Sequence, residues 1–153
     1  MQSSARKIRV SVSRQCLELL EDGQIVRTFP VSTSAYGLGT EPGSSKTPLG
    51  RFIISEKFGD GAPPGMIFKS RESTGEFGTE EEDDDFVQTR ILWLDGQEEH
   101  NANSHDRYIY IHGTNHESAI GQPASHGCVR MRNTEVVELY DLVDTGTEVV
   151  IEA

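Results

Sequence analysis

The sequence predicts a mainly β fold with one late α-helix and a long irregular middle segment. Fifteen glycines and six prolines among 153 residues indicate many turns, which is typical of chains built from short strands. Several segments alternate apolar and polar residues or stay apolar for a few positions, as strands do, and only one segment near the end shows helical spacing. A chain of this length fits one domain, so we expect residues 1–153 to form a single catalytic or binding unit.

Strand patterns fill the first third of the chain. Residues 7–14 (KIRVSVSR) alternate apolar and polar side chains, which predicts a half-buried strand. Residues 16–33 follow, with Asp22 and Gly23 placed to turn a hairpin, because glycine tolerates the positive φ of such turns. Residues 47–55 (TPLGRFIIS) predict a further strand that begins just behind a proline.

The middle of the chain, residues 56–90, is predicted to form long surface loops that could act as a lid over a site. It is rich in glycine, proline and acidic residues. We interpret its acidic run, residues 80–85, as a solvated loop rather than a cation site or partner surface. Two apolar segments that follow, TRILWLDG at 89–96 and RYIYIHG at 107–113, predict central strands.

The chain is predicted to end in a helix and a strand. Asn133 is a suitable N-cap for the segment NTEVVELYDLV. Val136, Tyr140 and Val143 then share one face at helical spacing, which predicts that this face packs on the core. The final segment, GTEVVIEA, predicts a closing strand.

The charge balance restricts the partners of the protein. Fourteen Lys and Arg against 25 Asp and Glu give a net charge of −11 at pH 7. Such a balance argues against a nucleic-acid partner, because phosphate binding needs basic surface. No apolar run approaches the length of a transmembrane segment, and the N-terminus has no apolar stretch that could serve as a signal-peptide core. A cytoplasmic location therefore stays open.

The stretch PASHGCVRM, residues 123–131, surrounds Cys128 with residues that a structural cysteine does not need. The thiolate is the nucleophilic form of cysteine, so a catalytic cysteine needs neighbours that remove or stabilise its charge. If this stretch is extended, His126, Cys128 and Arg130 share one face. Gly127 would let a substrate carbonyl approach backbone N–H groups that hold a developing oxyanion. Together these features predict an acyl-transfer site.

A second histidine, His112, ends the strand pattern YIYIHG sixteen positions before Cys128. The loop between them could bring the imidazole back against the sulfur. Residue chemistry alone leaves open whether His112 or His126 is the general base. A base on a separate strand can face the sulfur directly, which slightly favours His112.

Two alternatives to a free thiolate are open at this point. In a zinc-binding hydrolase, His112, His116, His126 and Cys128 would supply four ligands that zinc accepts. Against zinc, the first two histidines follow a strand pattern rather than a helix, and the chain has no recognised zinc-binding spacing. A disulfide between Cys16 and Cys128 is possible, although we interpret Cys16 as a core cysteine on a strand.

The segment IHGTNHESAIGQPASHGCVRM, residues 111–131, resembles the motif of the YkuD-type L,D-transpeptidase catalytic domain, found in bacterial enzymes that remodel peptidoglycan. A histidine-glycine-threonine element, a short loop and serine-histidine-glycine-cysteine follow one another at the family's spacing. Upstream, SRQCLELLEDGQIVRTFPVST and KTPLGRF resemble the family's opening strands and threonine-proline turn. The resemblance covers most of the chain, the acidic middle least well, and implies a β-sandwich-like fold.

The resemblance implies catalytic roles residue by residue. Cys128 would be the nucleophile and His112 the general base. The backbone carbonyl of Gly113 would orient the imidazole. His126 would shape the pocket and support the thiolate.

It also implies how the substrate would be held. The N–H groups of Gly127 and Cys128 would contribute to the oxyanion hole. Arg130 lies where the family has an arginine or an asparagine, and it would hold a substrate carboxylate. Ser125 and Thr114 are motif positions on the substrate-binding side of the assignment, and they would organise the loop rather than react.

The implied reaction is the release of D-alanine from a peptidoglycan tetrapeptide stem through a thioester acyl-enzyme, which an amine then resolves. The alternative within this chemistry is an L,D-carboxypeptidase that uses water as acceptor. No cofactor or metal is implied, and carbapenems would acylate Cys128. Peptidoglycan stem peptides or muropeptides would be the partners, which favours the cell envelope or periplasm. A wall-binding module without catalysis is disfavoured, because Cys128 and His112 are both present.

Overall fold

The strands predicted from the alternating segments pair with one another in a single branched sheet. The computed structural model describes residues 5–153, and within that range it has ten strands, one α-helix and two 3₁₀ turns. The strands are β1 (Arg6–Ser11), β2 (Cys16–Glu21), β3 (Gln24–Pro30), β4 (Gly50–Phe58), β5 (Met66–Lys69), β6 (Glu72–Phe77), β7 (Val87–Gly96), β8 (Tyr110–Gly113), β9 (Val129–Met131) and β10 (Glu148–Glu152). Helix α1 spans Asn133–Leu142, and the 3₁₀ turns lie at Glu99–Asn101 and Glu117–Ala119.

The order of the strands puts β7 at a branch point. Along the sheet the order is β3-β2-β1-β10-β4-β7-β5-β6, and β8 pairs with β7 and also with β9. Most neighbours are antiparallel, but β1 pairs parallel with β10, and β8 parallel with β9. The mainly β prediction with one late helix is therefore confirmed.

The predicted hairpin between β2 and β3 turns at Asp22 and Gly23, as expected. Their φ angles are 51° and 83°, so both residues are left-handed, and Glu21 pairs with Gln24 across the two-residue loop. Two successive left-handed residues are what a type I′ turn needs to match the twist of its strands. Here the residue types agree with the backbone.

The middle segment is more ordered than predicted. Residues 66–77 form a hairpin of β5 and β6, and its two-residue turn is Ser70 and Arg71, with φ angles of 47° and 65°. The sequence did not indicate this hairpin because its turn lacks glycine or asparagine and because β6 is largely exposed. Residues 59–65 and 78–86 are irregular, as expected.

Helix α1 follows the predicted segment, but the predicted N-cap is wrong. The helix begins at Asn133, and Arg132 precedes it without a side-chain cap. The Asn133 side chain instead accepts from Thr89 Oγ1 at 2.5 Å and donates to the Thr114 carbonyl at 3.0 Å. A tertiary contact has therefore replaced the capping role. Among residues 5–153, no helix has the length and apolar character to cross a membrane.

The core lies between helix α1 and the sheet. The buried side chains that form its main cluster come from both ends of the chain, including Ile8, Phe52, Leu92, Val129 and Leu139. The predicted helix face packs there through Val136 and Tyr140, with Val143 just beyond the last turn. A second, aromatic cluster of Phe68, Ile91, Trp93 and Tyr110 lies under Cys128. The short strands β8 and β9 are thus held between two packed layers.

Candidate active site

The two histidine and cysteine motifs meet on neighbouring parallel strands. In the register of β8 and β9, Ile111 pairs with Val129 and His112 pairs with Arg130. Cys128, which directly precedes β9, therefore lies beside Tyr110, two positions before His112 on the neighbouring strand. Because parallel neighbours need a crossover, the loop of residues 114–127 returns the chain to the same end of the pair. The predicted meeting of the two motifs follows from this topology.

The Cys128 thiol is held between two backbone groups. Its Sγ–H donates to the Tyr108 carbonyl at 3.3 Å, and its Sγ accepts from the Tyr110 N–H at 3.3 Å. Burial raises the pKa of the Cys128 thiol to about 11, against which the Tyr110 N–H acts in the opposite direction. Cys128 is therefore a thiol at neutral pH and needs a base. Both Cys16 and Cys128 are free, so the possible disulfide is not formed.

His112 is buried and neutral at pH 7. Its side chain is 3% exposed, and burial lowers its pKa below the ordinary value, although the Gly113 carbonyl and Asp85 oppose that shift. Nδ1 lies against the Gly113 carbonyl, and since a carbonyl can only accept, Nδ1 carries the proton. Nε2 is then the free acceptor. No hydrogen bond joins His112 to Cys128 within residues 5–153.

Gly113 has a packing reason to lack a side chain. A Cβ at this position would lie 2.7 Å from the Gln88 carbonyl oxygen and closer still to the Asn133 side chain. Strand β7 and the start of helix α1 press against this point from two sides. Glycine therefore lets the strand that carries His112 sit directly against the helix.

Asp85 is a member of the site that the sequence did not indicate. Its Oδ2 lies 3.0 Å from His126 Nδ1, and its Oδ1 lies 2.9 Å from Arg130 Nη1. Burial alone would raise the pKa of Asp85, but the hydrogen bond from His126 and the charges of His112 and Arg130 lower it below its ordinary value. Residues 80–84 are exposed, as predicted for a solvated loop, whereas the Asp85 side chain turns inward and is 24% exposed.

The acidic loop is tied down by one buried amide, that of Asn115. Its Nδ2 lies 3.1 Å from the Thr79 carbonyl, 3.3 Å from the Glu82 carbonyl and 3.0 Å from the Asp84 carbonyl. Its Oδ1 accepts from the Phe86 N–H at 3.1 Å. Asn115 directly follows the histidine-glycine-threonine element, so this part of the chain also fixes the loop that carries Asp85.

Arg130 is enclosed rather than open to solvent. It is 2% exposed, and its carboxylate partner is Asp85 of the same chain. Its other contact is a long one, 3.5 Å from Nη2 to Ser32 Oγ. A substrate carboxylate would therefore compete with Asp85 for this guanidinium. The proposed binding role of Arg130 stays a prediction.

Ser125, Gly127 and Thr114 hold the loop around Cys128. Ser125 Oγ donates to the Cys128 carbonyl at 2.7 Å and accepts from the Gly127 N–H at 3.3 Å. Gly127 has a φ of 121°, a conformation that residues with a side chain rarely adopt. Thr114 Oγ1 accepts from the His116 N–H at 3.0 Å. These contacts agree with an organising role, while the oxyanion hole itself stays a prediction.

Two pockets flank the cysteine and share Tyr108. One, of about 270 Å³, is lined by Cys128, His126, Arg107 and Tyr108 among others. The other, of about 290 Å³, is lined by Ser70, Arg71, Tyr108 and Tyr110. The Tyr108 backbone, with a φ of 57°, lies between them and accepts the thiol hydrogen. The first pocket is lined by Cys128 itself, and the second adjoins it through Tyr108.

The geometry does not support the zinc alternative. His116 Nε2 lies 2.6 Å from the Glu82 carbonyl, and His126 is bound to Asp85. In the described part of the chain, no three His, Cys, Asp or Glu side chains are grouped so that they could hold a metal ion. His112 and His116 diverge because the strand ends between them.

Tyr108, Tyr110 and Arg71 also contact the site without having been predicted. For Tyr110 a signal existed, since it lies two positions before His112 on a strand and must share its face. No local sequence pattern places Tyr108 or Arg71 near the cysteine. Their positions follow from the pairing of strands and from the turn of the β5–β6 hairpin.

Comparison with known proteins places these features in a family. A family model, that of the L,D-transpeptidase catalytic domain, matches residues 5–151. A Bacillus licheniformis protein that carries the name L,D-transpeptidase YkuD is 30% identical over 145 residues, which are 95% of this chain and 64% of that relative. The chain thus spans less than two-thirds of this relative.

Solved structures give the same result for the fold. An L,D-transpeptidase from Xylanimonas cellulosilytica is 25% identical, with a TM-score of 0.62 over 98% of this chain and 61% of that one. An L,D-transpeptidase in complex with imipenem is 18% identical, with a TM-score of 0.61 over 97% and 59% of the two chains. The β-sandwich-like fold expected from the resemblance is confirmed.

Proposed function

This chain belongs to the L,D-transpeptidase catalytic domain family, and from that premise we propose that it is a cysteine-dependent L,D-transpeptidase acting on peptidoglycan stem peptides. One observation carries the proposal. Cys128 lies between the Tyr108 carbonyl and the Tyr110 N–H, and the neighbouring strand carries the buried, neutral His112. A protonated thiol beside a neutral imidazole is the resting state of a nucleophile that is activated when substrate binds.

In the first half-reaction, His112 Nε2 takes the proton of the Cys128 thiol. The sulfur attacks the carbonyl carbon of diaminopimelate in a tetrapeptide stem, and a C–S bond forms. The Cys128 N–H stabilises the oxyanion together with the Gly127 N–H, which leaves its contact with Ser125 Oγ to do so. Collapse of this intermediate breaks the C–N bond to D-alanine, which takes a proton from His112 and leaves as the free amino acid. A thioester on Cys128 remains.

In the second half-reaction, an amine attacks the thioester carbonyl. His112 takes the proton that the amine loses, a C–N bond forms, the C–S bond breaks, and the thiol of Cys128 is restored with that proton. Water in place of the amine would give a tripeptide, which is the carboxypeptidase outcome. The amine is supported by the presence of two pockets that share Tyr108, because a donor stem and an acceptor stem need separate space near the cysteine.

The family context supports two further parts of the proposal. A relative has been solved with imipenem, which is a carbapenem, so we propose that carbapenems acylate Cys128 of this chain. The substrate class lies outside the cytoplasmic membrane, so we assign the domain to the cell envelope or periplasm.

The test is mass spectrometry of the products after incubation with purified tetrapeptide muropeptides, with Cys128→Ala as control. Cross-linked dimers and released D-alanine that require Cys128 would support the transpeptidase. Tripeptide alone would support the carboxypeptidase. If no product depends on Cys128, the proposed substrate is wrong.

A further inference from the structure

The hairpin of β5 and β6 carries one cation to the lining of the second pocket. Arg71 Nη1 donates to Tyr110 Oη at 3.2 Å, and the guanidinium lies 4.5 Å from the centroid of the Trp93 ring and 5.5 Å from that of Tyr108. Tyr108 and Tyr110 are the two residues whose backbones hold the Cys128 sulfur. Arg71 thus contacts the side chains of the two residues whose backbones hold the nucleophile.

Arg71 has no acidic partner of its own. Within residues 5–153, no carboxylate oxygen lies within 4.0 Å of its guanidinium, although the chain has 25 acidic residues and a net charge of −11. The other arginines near the cysteine are already bound. Arg130 pairs with Asp85, and Arg107 donates to the carbonyls of Gly39 and Lys46. Of these three arginines, Arg71 makes the fewest side-chain hydrogen bonds, one, so its guanidinium has the most N–H groups left for a ligand.

The backbone at Arg71 is unfavourable for an arginine. Lys69 pairs with Glu72, so Ser70 and Arg71 alone form the turn, with φ angles of 47° and 65°. Glycine and asparagine are the residues that such turns favour, and the β2–β3 hairpin has glycine there. Arg71 thus stands at a turn position that favours glycine or asparagine, close to a reactive group. Such a mismatch indicates that the side chain has a function.

We propose that Arg71 binds a free carboxylate of the diaminopimelate–D-alanine unit of the stem, in the pocket that Ser70, Tyr108 and Tyr110 complete. A planar guanidinium held by an aromatic face and one hydroxyl keeps further N–H groups for a carboxylate, which it can bind through two parallel hydrogen bonds. This inference rests on the proposed function, and it makes Arg71 a specificity-determining residue. Unlike Arg130, Arg71 can bind without displacing Asp85.

The test compares stems that differ only in their carboxylates. Tetrapeptide stems with the diaminopimelate carboxylate free or amidated, and with a D-alanine or D-alaninamide end, are assayed by kcat/KM. We expect Arg71→Gln to lower kcat/KM on the free stem by about tenfold or more. We also expect one of the amidations to cost the wild type a similar factor and to cost Arg71→Gln almost nothing more. Lys69→Gln removes the same charge from the same hairpin and should leave every value near wild type.

If the loss in kcat/KM from each amidation and the loss from Arg71→Gln multiply when the two changes are combined, the inference is overturned. That result would show that the carboxylate is bound elsewhere and that Arg71 only packs on Trp93. If Arg71→Gln loses its fold by circular dichroism, Arg71→Lys keeps the charge but not the planar fork, and it should lose an intermediate factor on the free stem only.

Failure of the proposed function would look different. If wild type gives no product from any stem, that function fails, and the rate at which imipenem acylates Cys128 tests Arg71 independently, because imipenem carries a carboxylate beside the ring that opens. Slower acylation in Arg71→Gln than in Lys69→Gln would support the anion site, and equal rates would overturn it.

Discussion

Asp85 and Arg130 form an ion pair inside the site, with Oδ1 and Nη1 2.9 Å apart. The arginine is buried, and the same carboxylate binds His126 through its other oxygen. Asp85 therefore joins the loop that precedes β7 to both residues that flank Cys128 in the motif. The negative charge of Asp85 also offsets the buried positive charge of Arg130, which would otherwise act alone on the Cys128 thiol and on His112.

Asp85→Asn should destabilise the protein at neutral pH. Removing the charge leaves the buried guanidinium of Arg130 without its counter-ion, for which we expect a loss of about 1–3 kcal/mol in the free energy of unfolding. Because the pKa of Asp85 is lowered in the fold, its contribution is present above the ordinary pKa of 3.8 and is lost as pH falls through the folded value. Urea unfolding of wild type and Asp85→Asn at pH 7 and at pH 3 measures the loss of stability and its dependence on pH. A gap between wild type and Asp85→Asn that does not shrink at pH 3 would contradict this account.

Cys128→Ala should abolish acylation by imipenem while the fold is kept. The Cys128 side chain makes weak contacts with the Tyr108 carbonyl and the Tyr110 N–H, so their loss should cost little stability. Intact-protein mass spectrometry detects the adduct, and Cys16→Ala is the matched control because Cys16 is the other free thiol. An adduct on Cys128→Ala, or none on Cys16→Ala, would refute the nucleophile assignment.

His112→Ala should reduce turnover far more than His126→Ala. Only His112 lies on the strand beside Cys128 with a free Nε2, whereas the His126 ring is largely exposed and bound to Asp85. A general base contributes about 10²- to 10⁴-fold, so kcat should fall in that range for His112→Ala. Rates of D-alanine release for the two variants settle the order. The reverse order would mean that the proton leaves by way of His126.

The pH dependence of the thiol should be displaced to high pH. Burial raises the pKa of Cys128 to about 11, so the free enzyme holds a neutral thiol at pH 7 and becomes a thiolate only in strong alkali. In Cys16→Ala, the rate of alkylation by iodoacetamide should keep rising between pH 8 and pH 10. A plateau near pH 7 would show that the site stabilises the thiolate before substrate binds.

The acid limb of turnover should lie below pH 6.5, since the pKa of His112 is lowered by burial.

Local patterns predicted the parts of the fold where residue type and backbone agree. Alternation located the first strands, and Asp22 with Gly23 marked the β2–β3 hairpin. The β5–β6 hairpin was missed because Ser70 and Arg71 lack that signal, and the mismatch is itself the feature from which a role for Arg71 is inferred.

The motif predicted the residues around Cys128, but not the loop that completes the site. Nothing distinguishes Asp85 from the five acids before it, because its position depends on a tertiary contact. That contact is Asn115, whose amide binds the loop backbone on both sides of the run, at Thr79 and at Phe86. The same kind of contact explains the failed N-cap at Asn133, whose side chain binds Thr89 and Thr114 instead.

Asn115→Ala should release the acidic loop and lower the activity of the site, although it changes none of the proposed catalytic residues. Asn115 is 4% exposed, and its amide is the link between the loop carbonyls and the histidine-glycine-threonine element. We expect a loss of about 1–3 kcal/mol in the free energy of unfolding and new cleavage by a Glu-specific protease within residues 80–82. Because Asp85 loses its fixed position, kcat for D-alanine release should fall as well.

The control for this change is His116→Ala, which removes a neighbouring contact with the same loop, that of Nε2 with the Glu82 carbonyl, but leaves the amide in place. It should leave cleavage within residues 80–82 close to that of wild type and activity near that of wild type. If Asn115→Ala were cleaved no faster than wild type yet lost activity, Asn115 would act on the reaction directly. If it were cleaved faster at full activity, Asp85 would not need its fixed position, and the ion pair with Arg130 would serve stability alone.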